Sequence, residues 1–109
     1  AAFGEDVEQL QYKLDRLSDK KVSLKMDITE ARQAATQARK AYEELGESVD
    51  EATRAAARAD WTQAETDLEN LRQRYDSVSR QVRQTTKDIE NATTAVSKNG
   101  QSDNKECVD

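Results

Sequence analysis

The chain has 109 residues, of which 35% are hydrophobic and 36% charged, with a net charge of -5. That charged share is well above the usual quarter, so a thick globular core is excluded and an isolated copy is expected to be marginal. The negative balance argues against nucleic acid as the principal partner, because phosphate binding needs a cationic footprint. No stretch approaches the roughly 20 apolar residues of a membrane span.

Proline is absent, glycine occurs three times, and the interior is rich in residues that lose little on entering a helix. In the first half, Phe3, Val7, Leu10, Leu14, Leu17, Lys21, Leu24, Ile28, Ala31, Ala35, Ala38, Tyr42 and Leu45 follow a 3-4 spacing. This is a heptad seam with Lys21 as its polar member. The head of Lys21 is expected to bend out to water past Tyr75 on the other arm.

Glu44-Leu45-Gly46-Glu47-Ser48-Val49-Asp50-Glu51 interrupts the pattern. Gly46 reads as a left-handed C-terminal cap, and Ser48 with Glu51 as a capping box that starts a second helix. That helix repeats the stripe through Trp61, Ala64, Leu68, Leu71, Tyr75, Val78, Val82, Thr85, Ile89, Ala92 and Val96. Lys98-Asn99-Gly100 reads as its stop, leaving 101–109 as a flexible tail with a lone Cys107. An exposed thiol there is a candidate for an intermolecular disulfide or an incidental feature of the chain end. Asn91-Ala92-Thr93 fits the glycosylation acceptor pattern but falls inside the predicted helix.

The expected fold is therefore all-α: a long antiparallel helical hairpin of coiled-coil type, with arms at about 4–45 and 48–98 and a turn at 46–47. Residues whose numbers add to about 95 should face each other, since rise is equal on both arms. Lys21 then lies level with Tyr75, and Ala31, Ala35 and Ala38 face the segment from Ala55-Ala56-Ala57 through Ala64, with Trp61 filling part of the space. A rival reading continues the first frame through Val49, Ala52, Ala56 and Ala59 as one helix of a parallel dimer, with a frame shift near residue 60.

Histidine is absent, which removes the commonest general base and transition-metal ligand. No phosphate loop or calcium loop is present, and no cofactor is expected. The sequence therefore points away from an enzyme. Its charges are banded instead. Glu43, Glu44, Glu47, Asp50 and Glu51 make an acidic tip, read as free of basic residues. Lys13, Arg16, Lys20, Lys21 and Lys25 make a basic belt with Arg72, Arg74, Arg80 and Arg83, and the base is acidic again through Glu5, Asp6, Glu8, Asp88 and Glu90.

The candidate binding residues are the tip acids together with Lys20, Lys25, Arg72, Arg74, Arg80 and Arg83. Expected partners are further copies of the chain and another protein that meets the tip or belt. Ordinary solvated outer-face charge is the plainer explanation of the same bands. The other readings are an anionic-ligand or membrane-surface module using the belt, and a parallel dimeric spacer. A start at Ala1 rather than Met points to an exported product or to a piece of something longer.

Overall fold

A computed structural model describes the backbone of residues 2–108 and the side chains of residues 7–94. The protein is an all-α antiparallel hairpin of two helices, α1 (Ala2–Glu43) and α2 (Glu51–Val108). The continuous parallel helix is thereby overturned: the chain leaves the helix at residue 44 and re-enters at 51.

The stripe read from the spacing is the stripe that packs. Every seam member from Val7 to Leu45, and from Trp61 to Ala92, is buried or half-buried. Leu24, Ala35, Leu68, Val78 and Thr85 are the residues most removed from solvent among those described. Phe3 and Val96 lie outside the described side chains.

Contacts divide the chain into two units. The first joins Ala1–Lys20 to Val78–Asp109. Here Leu10, Leu14 and Leu17 of α1, and Val78, Val82 and Thr85 of α2, supply the stripe, and Thr85 is almost wholly enclosed. The buried Ser79 hydroxyl finds no hydrogen-bond partner, a local cost where a helix flank is turned inward.

The second unit is Lys21–Ser77 and contains the turn. Its seam narrows to alanine on α1, and Ala57 and Ala64 are half-buried on α2, whereas Ala55 and Ala56 are exposed rather than facing the seam. The 3-4 frame of α2 extends backward from Trp61 through Ala57 and the half-buried Arg54, which turns those two alanines outward. Small side chains leave space, and Tyr42 and Trp61 fill it as an edge-to-face pair with ring centroids 5.6 Å apart and planes at 62°. By the expected register these residues are about two turns out of level. The lean of helical side chains toward their own N-terminus closes that distance, because Tyr42 leans away from the turn and Trp61 toward it.

The connection differs from the expected two-residue turn. It spans 44–50, and Gly46 does not adopt a left-handed backbone. The N-cap is Asp50, not Ser48: its Oδ1 accepts the Thr53 N–H at 2.8 Å, and its carbonyl accepts the Arg54 N–H at 3.1 Å as the first bond of α2. The other end of α2 also differs, running through Lys98-Asn99-Gly100 to Val108; an interior glycine costs a helix only about 1 kcal/mol. The side chains of 101–109, Cys107 included, lie outside the described residues.

Two substitutions test this account. A Cβ on Gly46 would meet Ser48 Oγ at 3.9 Å, an ordinary contact. Gly46→Ala is therefore expected to stabilise the chain by about 0.4–1 kcal/mol through the unfolded state, whereas a left-handed cap would be destabilised; the sign is read from urea denaturation. Leu68→Ala should cost about 2–5 kcal/mol by opening a cavity in the seam, seen as a lower midpoint at unchanged slope.

Candidate functional site

The turn draws its acidity from Glu43, Glu44, Glu47, Asp50 and Glu51, all exposed. Two arginines enter this region, although the sequence reading had none there. Arg39 pairs with Glu43 at 3.7 Å, one helical turn apart. Arg54, at the start of the α2 seam, reaches back so that its guanidinium donates to the Gly46 carbonyl at 2.9 Å. Val49 N–H also approaches that carbonyl, at 3.4 Å. Gly46 O is thus the point on which the connection closes, and a charge-assisted donor on a backbone carbonyl makes a strong tie. Asp50 is engaged as a cap, which leaves Glu44, Glu47 and Glu51 as the outward acids of the tip.

The residues read as one basic belt are distributed over the two units. Lys13, Arg16, Lys20, Arg80 and Arg83 belong to the first, and Lys21, Lys25, Arg72 and Arg74 to the second. All are exposed except Lys21. Rather than bending out to water, Lys21 places Nζ 5.6 Å from the centroid of the Tyr75 ring, so the seam cation is held by an aromatic face. This contact also agrees with the expected register in the second unit.

In the first unit Arg16 lies over the ring of Tyr12, with its guanidinium carbon 5.7 Å from the centroid. Tyr12 is 65% exposed, and with Lys13, Arg16, Leu17 and Lys20 it lines a shallow surface groove. Sequence reading placed the cations but passed over Tyr12, which sits off the seam. Its position one helical turn before Arg16 is the signal that finds it.

The second unit carries a larger groove of about 540 Å³ between α1 and α2. Ala31, Ala34 and Leu71 floor it, while Asp27, Glu30, Asp67 and Arg74 stand around it with Asn70. Of these, Arg74 is the one read from the sequence as a binding residue, whereas Ala31 and Leu71 are read there as seam members. The groove forms because the two alanines stand beside Leu71, a pairing that needs the fold to be seen.

Among the described residues, Arg39–Glu43 is the ion pair formed. Asp67 and Asp88 accept instead from the amides of Gln63 and Gln84, and Glu65 from the indole N–H of Trp61. Apart from Lys21 on the Tyr75 ring, the remaining charges of the tip and belt are exposed, and no helix among the described residues is long and apolar enough to cross a membrane. Comparison with family models, curated proteins and solved structures gives no match.

The Thr53 hydroxyl, and then its backbone N–H, hold the Asp50 carboxyl below its ordinary value of 3.8. A depressed carboxylate contributes stability that is complete above its unfolded pKa and lost as pH falls through its folded one. Asp50→Ala should lower the melting temperature at neutral pH, and its difference from wild type should shrink on acidification below the carboxylate range. Asp50→Asn, which keeps the acceptor without the charge, should melt between Asp50→Ala and wild type at neutral pH. Thermal melts across that range check both.

Proposed function

We propose that this chain is a non-enzymatic helical module for protein interaction, self-associating and presenting its acidic turn and its basic residues to a protein partner. The observation that carries the reading is the state of the charges. A helix surface built for its own stability would set opposite charges three and four residues apart and join them. Among the described residues that occurs at Arg39–Glu43, whereas Arg72 does not join Asp76, nor Asp76 Arg80, despite the right spacing. Exposed charge of this kind steers encounter and selects partners.

Burial supports self-association. A single seam leaves Tyr12, Val22 and Met26 between 61% and 65% exposed, and a thin two-helix unit gains from being covered. The Tyr12–Arg16 stack also favours a second reading, an anionic ligand held by the cations of the first unit, which salt-sensitive retention on a sulfated matrix would reveal.

The test is capture of binding proteins on the immobilised chain, followed by quantitative binding of each to the variant with Arg72, Arg74, Arg80 and Arg83 all changed to Glu. Binding is expected to weaken at least about tenfold, as it would on losing several steering contacts. Unchanged capture together with an unchanged oligomeric state would remove these arginines from the interface.

A further inference from the structure

The groove of the second unit has an apolar floor of small residues and a rim of uneven charge. Asp27, Glu30 and Asp67 stand on it against Arg74 alone. None of these four makes an ion pair among the described residues, although Asp67 accepts from the Gln63 amide, so the rim keeps a net negative charge that faces solvent. Ala31 and Ala34 leave room that a large side chain from outside can enter.

The first unit carries a segment of the opposite character. Between residues 12 and 20 of α1, Lys13, Arg16 and Lys20 are exposed on the wall of one surface groove, and Tyr12 stands beside them with 65% of its surface in solvent. An aromatic anchor ringed by cations, with its ring already stacked on Arg16, is the composition that dominates binding at protein interfaces. The two surfaces complement each other in both respects, large against small and positive against negative.

We propose that the groove floored by Ala31, Ala34 and Leu71 docks the Tyr12–Lys20 segment of a second copy of this chain, with Tyr12 on the alanines and the cations on the acidic rim. This rests on the self-associating reading above and gives it a contact. The contact joins two different surfaces, the groove of one copy and the segment of another. Two copies can make it reciprocally about a two-fold axis, and successive copies can repeat it head to tail as a ring or filament.

Sedimentation equilibrium of the full chain tests it, using two charge-reversed variants: Lys13→Glu/Arg16→Glu/Lys20→Glu, and Asp27→Lys/Glu30→Lys/Asp67→Lys. Wild-type mass should rise with protein concentration, and the association should weaken at least about tenfold from low to high salt. Each variant alone should remain monomeric while keeping its helical circular dichroism. An equimolar mixture should associate again, because each reversed surface finds its complement on the other variant. Tyr12→Ala, a change at an exposed position, should weaken wild-type association without affecting the fold. A wild-type oligomer that none of these substitutions alters, or a mixture that stays apart, overturns this contact and leaves self-association standing. A wild-type chain that is monomeric at every concentration overturns both.

Discussion

Each helix of this protein buries one stripe, because it has one neighbour. A helix in a globule has an apolar face wide enough to meet several others, whereas a two-helix pair offers a seam about two residues wide per heptad. The low hydrophobic share and the high charge follow from that geometry. So does the spacing of the apolar residues, since a side chain only slightly off the seam is already in water. Thr85 and Ala35 are among the most enclosed residues, ahead of most of the leucines. Position across the seam governs burial more than hydrophobicity does.

The narrowing of the seam toward the turn has consequences at the turn itself. Alanines let helices approach, but they provide little contact area. The Tyr42–Trp61 pair restores some of it, and Arg54 occupies a seam position that an aliphatic residue would fill in a longer coil. Arg54 keeps its stem along the interface while its head reaches the Gly46 carbonyl. The connection is thus held by polar ties, Arg54 to Gly46 and Asp50 to Thr53, in the region where apolar packing is thinnest.

How far the sequence carried the structure depended on whether one chain segment contained the relevant information. Heptad spacing is local and long, so the seam was legible residue by residue, including Lys21 as a member. The start of α2 was not, because Ser48 and Asp50 both have cap chemistry two residues apart. Arg54 favours the later start, since the helix that begins at Glu51 brings its guanidinium onto Gly46. The aromatic offset was hidden for a different reason: register arithmetic compares backbone heights and ignores the lean of side chains. Among the candidate binding residues, a count of charges showed density but could not show that Asp50 caps a helix or that Arg39 and Arg54 enter the tip. Tyr12 was missed because it lies off the stripe, and the alanine-floored groove because Ala34 and the charged rim do, although Ala31 and Leu71 are seam members.

The sole tryptophan of the chain is Trp61, and its indole contacts Tyr42 and Glu65, all within the unit that contains the turn. Fluorescence excited selectively at this tryptophan is therefore a local signal. It follows the environment of the alanine-lined segment and is blind to the leucine- and valine-lined pairing of the other unit, which backbone dichroism includes. Divergence between those two signals during denaturation would reveal separate melting of the units, a distinction that the placement of one side chain has built into the molecule.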